Sequence, residues 1–426
     1  FWCTGEDTSR WKSKVMQMIG DFYNRKYKKT SHYTFGENVR AMVERGEDPQ
    51  AEAIKRGHEL GMDVYASIRM NDNHFNGLQI SDLETTKDIN NWTYGMTEIR
   101  REHPEWLLGD KTHDWFAVSW NMEVPEVREY RFNHAKEVCS LWDWDGVELD
   151  WQRHNFHLPE DDAYRLRYVL TDLQRAIRDM TNEIGRKRGR PFYLAARVSG
   201  TLEMSKRIGY DIPKWIDEGL VDILIPSGGS GTDPLMDIEG YIELCKGKDI
   251  DVYGGIYGST PVHCAGPENE ATKNRMLTRA IAANTYEGGA AGTYVFNWHS
   301  DKDYRRELLS QIGSTETLKS TDKIYAATHR TMRNTGPWRK AGVNDRIYGP
   351  VPVALKKTLT GDGPIIDLNI CDDLKSEKPE KIELRIRLDQ WVKGDQIDIY
   401  IDGNVIEPDQ IDYTDQDWKM GTSVSP

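Results

Sequence analysis

Long apolar runs are missing from this 426-residue chain: no stretch of 18 or more apolar residues occurs, so no segment reads as a membrane span. Cysteine is sparse. The five present (Cys3, Cys139, Cys245, Cys264, Cys371) are scattered, with no CxxC, which suits neither a disulfide framework nor a zinc site. Free, buried thiols are the plain reading. Positive charge is also short. A net charge of −13 argues against a nucleic-acid backbone as the main partner, although a few local arginines could still hold an anionic substrate. GxGxxG is absent, which disfavours an open dinucleotide-binding sheet. His-x-His is absent too; only His154-x-x-His157 occurs, so the sequence predicts no metal and no cofactor. Phe1-Trp2-Cys3 follows neither a charged n-region nor an apolar h-region, the look of a processed or trimmed start.

What the chain has in excess is tryptophan, 14 residues whose flat faces fill cores or stack on sugar rings. It also has recurring short apolar runs. Strands are predicted at 64–69, 116–120, 147–150, 192–198, 221–226, 252–257 and 293–298, separated by helical segments. Glu160, Asp161 and Asp162 after Pro159 open one helix; Leu166, Val169, Leu170, Leu173, Ile177 and Met180 give it an apolar stripe, and Gly185 and Gly189 help end it. Residues 211–219 form a short helix stopped by glycine.

Strand and helix alternate in the α/β manner, which predicts a (β/α)8 TIM barrel over residues 1–335. The first strand is expected near residues 1–35, with Phe1-Trp2 as its end and 10–27 as the following helix. After a linker rich in proline and glycine (Pro337, Gly342, Gly349, Pro350), β-like runs at 353–359, 365–370, 381–388 and 396–401 predict a small C-terminal antiparallel β-domain, sandwich-like, over 350–426. Asp402-Gly403-Asn404 is a hairpin signal within it.

In such barrels the chemistry sits at the C-terminal strand ends. The stretch Asp145-Gly-Val-Glu-Leu-Asp150-Trp-Gln-Arg-His154 places Glu148 and Asp150 on one face of a strand, since side chains alternate. Unpaired buried carboxylates cost several kcal/mol, so the two face a polar cavity or do chemistry. Asp150, nearest the mouth, is the candidate nucleophile or base. Glu148 lies one layer deeper, either a site residue or a structural acid paired with Arg69 or Arg197. Glu203 is the expected second catalytic acid, ahead of Glu123 and Asp233. Asn71, His74, Trp120, Asn121, Glu123, Trp151, Arg153, His154, Arg197, Tyr257, Asn297 and Trp298 are the candidate substrate-binding groups. Two carboxylates with aromatic platforms and hydroxyl-binding amides suit glycoside hydrolysis of a poly- or oligosaccharide.

Three segments carry a resemblance: GVELDWQRH at 146–154, ARVSGTLE at 196–203 and GYDIPKWIDEGLVDILIPS at 209–227. Together they resemble the family-10-like glycosyl-hydrolase barrels of polysaccharide-degrading bacteria, over roughly residues 60–300. The resemblance implies a carbohydrate-active barrel, a poly- or oligosaccharide partner and a secreted or periplasmic setting. It raises Asp150 and Glu203, which match acids in the family pattern. Two rivals remain: a non-catalytic carbohydrate-binding barrel, and a metal-dependent barrel hydrolase.

Overall fold

The computed structural model describes residues 1–4, 7–21, 31–75, 77–87, 96–112, 114–229, 231–258, 268–299, 303–327, 351, 355, 363–376, 378–388, 390–392 and 394–414. The elements run β1 (Trp2–Cys3), α1 (Ser31–Glu44), α2 (Pro49–Glu59), β2 (Tyr65–Arg69), α3 (Glu98–Glu102), α4 (Pro125–Leu141), β3 (Gly146–Asp150), α5 (Arg167–Arg188), β4 (Tyr193–Ser199), α6 (Leu202–Arg207), α7 (Ile212–Asp217), β5 (Ile223–Ser227), α8 (Ile238–Cys245), β6 (Asp251–Tyr257), α9 (Glu270–Glu287), β7 (Gly292–Phe296), α10 (Asp303–Leu309) and α11 (Thr315–Leu318). A C-terminal hairpin follows, β8 (Tyr400–Ile401) and β9 (Asn404–Val405).

The first seven strands form one parallel sheet in sequence order, β1 to β7. It curls on itself: the Tyr294 hydroxyl on β7 reaches Glu148 on β3 across the interior, and the Phe1 ring touches both Tyr65 of β2 and Tyr294. The result is a (β/α) barrel-like fold with helices outside. β1 is the expected first strand, pairing Trp2 with Ala66 and Cys3 with Ser67. The helix expected over 10–27 is not there in the described part: residues 10–21 form turns and a bridge between Ser9 and Met18, while 22–27 lie outside the described residues.

Seven strands are described, where eight were expected, because 116–120 is not a strand. β2 pairs directly with β3 over five residues, Tyr65↔Gly146 to Arg69↔Asp150, which leaves no slot between them. The 116–120 segment lies over the strand ends instead. Asn71 clamps it, accepting from the Trp120 N–H and donating to the Trp120 carbonyl, each at 3.0 Å, as a neighbouring strand would have done. A short apolar run does not by itself distinguish a strand from a buried loop.

Local chemistry explains the rest of the frame. A Cβ on Gly146 would meet the Tyr65 ring at 2.4 Å and the Tyr193 carbonyl at 2.5 Å, so the first residue of β3 must be glycine. Gly189 ends α5 in the left-handed region at φ 68. Gly185 lies inside that helix and does not end it. The predicted stripe is buried from Leu166 to Met180.

The C-terminal region is less regular than expected. Asp402 and Gly403, at φ 50 and 79, make the two-residue turn of the β8–β9 hairpin. Residues 365–370 and 381–388 carry no strand; Ile365 is 88% exposed and Ile382 68%. The linker and most of 353–359 lie outside the described residues. Polar contacts tie the region to the barrel: Arg385 holds Glu268 in a two-pronged pair at 2.9 Å, and Lys323 and Tyr325 reach Asp372 at 2.8 and 2.9 Å.

Candidate active site

β3 supplies the centre of the site. Val147 and Leu149 pack into the apolar core, and the alternation turns Glu148 and Asp150 into the barrel. Register sets their neighbours: Ser67 beside Glu148, and Arg69 and Arg197 on either side of Asp150.

The two carboxylates meet opposite fates. Asp150 is fully buried and its oxygens are taken. The Arg197 fork holds them at 2.9 and 3.3 Å, and the N–H groups of Gln152 and Arg153 donate to Oδ1 at 3.2 and 3.0 Å. The remaining Arg197 donor serves Ser227 and the Gly228 carbonyl, and the guanidinium lies 3.9 Å over the Phe296 ring. Glu148, also 0% exposed, makes no pair with Arg69 or Arg197. It accepts from the Tyr294 hydroxyl at 2.9 Å and from Ser67, and its Oε2 has no partner. Burial, then the charge of Asp150, pushes its carboxyl up to about 7, against the pull of Ser67, Arg197 and Tyr294.

The structure does not join Glu203 to this pair. It lies exposed on the first turn of α6, with no hydrogen bond or ion pair to Glu148 or Asp150. Glu123 is half-buried beyond the strand ends, 3.7 Å from Lys111. Asp233 is buried and accepts from the Leu235 N–H.

Two expected sugar platforms have no face to offer. Trp120 is buried, its indole N–H on Asp7 at 2.9 Å and its ring covered by Arg100 at 4.3 Å. Trp151, the residue after the inward Asp150, points outward, bonds Gln174 of α5 and packs on Tyr210 and Trp215. Asn71 is occupied by its clamp, and Asn121 is buried, its Oδ1 on the Glu123 N–H. Tyr257, Asn297 and Trp298 remain partly exposed at the mouth. Asn297 donates to the Tyr257 hydroxyl at 3.3 Å, and Asn297 and His154 both sit at positive φ, 46 and 60.

His154 and His74 converge on Asp72, with ring centroids 4.7 Å apart. Among the described residues this is the group that could hold a metal ion, its three ligand atoms lying within 4.8 Å of one another. Two of the three are bonded to each other, and His154 lies 3.6 Å from Asp72. Asp72 accepts from the His74 N–H and ring, and His154 Nδ1 accepts from the Asn73 N–H. Burial opposes ionisation of Asp72, but His74, His154 and Arg100 outweigh it and hold the carboxyl below its usual range. Burial, followed by Arg153 and His74, keeps His154 neutral, well below the usual imidazole value.

A cavity of about 680 Å³ runs along the seam between β1 and β7, lined by Ser67, Arg69, Tyr294, Phe296 and Trp298 among others. That size suits a small-molecule site. Ser67 and Tyr294, which hold Glu148, thus also face the cavity. A smaller hollow of about 430 Å³ beside the N-terminal ends of β4 and β5 is lined by Arg178, Arg190 and Asp222, groups already engaged in ion pairs. Sequence reasoning missed Ser67, Tyr294, Phe296 and Gln152. The first three sit at inward, period-two positions of strands that had been recognised.

No family model matches the chain, and no curated protein is similar to it at a significant level. Solved structures with partial likeness include glycoside hydrolases. A family 18 N-acetylglucosaminidase from Paenibacillus barengoltzii aligns with TM-score 0.33 and 12% identity, over 45% of this chain and 76% of its own. Chitinase ChiW from Paenibacillus sp. aligns with TM-score 0.41 and 13% identity, over 72% of this chain and 39% of its own. A family 18 chitinase from Cycas revoluta aligns with TM-score 0.34 and 10% identity, over 58% and 92%. Likeness this distant carries no argument about what this chain does; that rests on the site itself.

Proposed function

We propose that this chain cleaves a glycosidic bond in a poly- or oligosaccharide, with Glu148 as the proton-carrying group and Asp150 as the fixed negative charge beside it. One observation carries the reading: two carboxylates on one strand face, one bound by Arg197 and the other raised to about 7. Environments that push neighbouring acids apart assign acid and base roles. A carboxyl near 7 can donate and recover a proton at neutral pH. Ser67 and Tyr294 link it to the cavity where a sugar would sit. The pairing of Asp150 with Glu203 is given up, because Asp150 has no free oxygen and Glu203 lies outside the pair.

The test is reducing-end release from a panel of neutral and anionic polysaccharides. Glu148→Gln is expected to lower turnover by about 10²–10⁴-fold, the usual worth of general acid–base catalysis. Loss of activity in Glu203→Gln with Glu148→Gln intact overturns the assignment. A specific observation favours a second reading, the non-catalytic glycan-binding barrel. Gln152, two residues after Asp150 and buried with both amide atoms unpartnered, is an amide that cannot protonate a leaving group. Glycan binding by wild type without any cleavage selects it.

A further inference from the structure

We propose that Asp72, His74 and His154 form a binding site for a divalent transition-metal ion of the zinc class at the mouth of the barrel. The site stands apart from the two carboxylates of β3 and does not depend on the carbohydrate reading.

The three residues come from two neighbouring strand ends. Asp72 and His74 follow β2, whose last residue is Arg69, and His154 follows β3, whose last residue is Asp150. Arg69 and Asp150 are register partners, so the two loops leave the sheet side by side. That end of a barrel sheet carries the chemistry. No His-x-His motif announces the site, because its histidines belong to different loops.

The donor atoms gather closely. His74 Nδ1 lies 2.6 Å from Asp72 Oδ1, His154 Nδ1 lies 3.6 Å from the same oxygen, and one donor atom from each residue falls within 4.8 Å of the others. Around a tetrahedral ion with bonds of about 2.0–2.2 Å, ligand atoms stand roughly 3.3–3.6 Å apart, so shifts of the order of 1 Å seat the ion. An Asx turn alone accounts for Asp72 with His74, whose backbone N–H it also accepts at 3.0 Å. It does not account for His154. That residue arrives from another strand and is held at φ 60, which costs a non-glycine residue about 1–3 kcal/mol and must be enforced by its surroundings. The Asn73 N–H donates to its Nδ1 at 3.0 Å and fixes the ring, with the His74 ring standing edge-on at 88°.

The donor set selects the ion. Two imidazoles and a carboxylate suit zinc and its first-row neighbours, whereas calcium and magnesium take oxygen ligands. Binding exchanges two hydrogen bonds for coordinate bonds. The His74 proton passes from Nδ1, where it faces Asp72, to Nε2, and His154 Nδ1 turns its lone pair from the Asn73 N–H to the ion. Asp72 and His154 are buried, but the His74 side chain is 42% exposed. That gives the ion a path in and leaves a fourth position for water, as in zinc sites that keep one position open.

The experiment is isothermal titration of the full chain, stripped with a chelator and dialysed, with zinc alone and in parallel with calcium and magnesium. Wild type should bind one zinc ion with a dissociation constant of about 1 µM or tighter, and neither other ion comparably. His74→Ala and His154→Asn should each weaken zinc by at least about 10–100-fold, the range seen when support around a metal is lost. Asparagine tolerates the left-handed backbone and lacks the imidazole. Zinc should raise the melting temperature of wild type and not of these variants, whose melting without zinc shows that they are folded. His103→Ala, which removes an exposed histidine paired with Glu105, should bind as wild type does. Four results overturn the proposal: no one-to-one zinc binding at micromolar concentrations, calcium or magnesium binding as tight as zinc, binding unchanged in folded His74→Ala or His154→Asn, or equal loss in His103→Ala. Zinc binding without glycan cleavage leaves this site standing and counts against hydrolysis; cleavage by a chain that binds no zinc does the reverse.

Discussion

The two ends of the barrel strands use the same residue types to different effect. At the N-terminal end, Asp145 accepts from Arg190 at 2.6 Å, His58 at 2.8 Å and the Val64 N–H at 2.7 Å, so each oxygen is answered. At the C-terminal end, Asp150 is answered as fully, but Glu148 Oε2, both amide atoms of Gln152 and Arg153 Nε are not. Buried polar groups in native proteins are nearly always paired, and a cluster of exceptions marks a place built for something else to arrive. The lesson is that acids and arginines alone do not identify a site; a cluster of unpartnered buried groups narrows the search, while single cases such as His134 and the Arg178 Nε occur elsewhere.

The contrast can be broken most directly at Glu148. Glu148→Gln should cost about 10²–10⁴-fold in turnover, with the wild-type pH–rate profile falling as pH rises past about 7, where the donor is lost. A flat profile to pH 9 removes Glu148 as the acid. Asp150→Asn should come next, destabilising the fold by about 3–5 kcal/mol in urea because it leaves Arg197 buried without its partner. Asp145→Asn, where the partners His58 and Arg190 are partly exposed, should cost only about 1–2 kcal/mol. Equal costs would erase the difference between the ends.

Stability against pH separates them as well. Glu148 is raised from 4.5 to about 7, so between those values the folded chain holds a proton the unfolded chain has released. Its contribution therefore declines as pH rises through that window, and Glu148→Gln should flatten the slope. Asp145 has the opposite sign. Burial opposes its charge, but the Val64 N–H, His58 and Arg190 outweigh that and hold it below 3.8, so its contribution is lost as pH falls beneath that value. The smallest expected effect is Glu203→Gln, within about twofold in activity, since it touches neither carboxylate.

Much of the frame was legible in the sequence. The alternation of Val147 and Leu149 with Glu148 and Asp150 located β3 and its inward face, because period two is a local property. The run at 116–120 misled for the same reason: local apolarity does not reveal that β2 and β3 leave no slot between them. In the site, Arg197 was expected near the β3 acids, and only register shows that it takes Asp150 and leaves Glu148 to Ser67 and Tyr294. The sequence places Glu203 near a strand end; the way α6 begins leaves it exposed on that helix's first turn. Gln152 drew no notice because an amide has no titration to advertise it.

The left-handed backbone at His154 and Asn297 has a consequence for kinetics. Such residues lie about 1–3 kcal/mol above their relaxed state, and the fold holds them there before any ligand arrives. On the proposed carbohydrate reading, a sugar reaching the cavity at Asn297 would meet a side chain already in position, so little of its binding energy would go into ordering that loop. Association should then be limited by diffusion and electrostatic attraction, and differences among related glycans should show chiefly in how fast they leave.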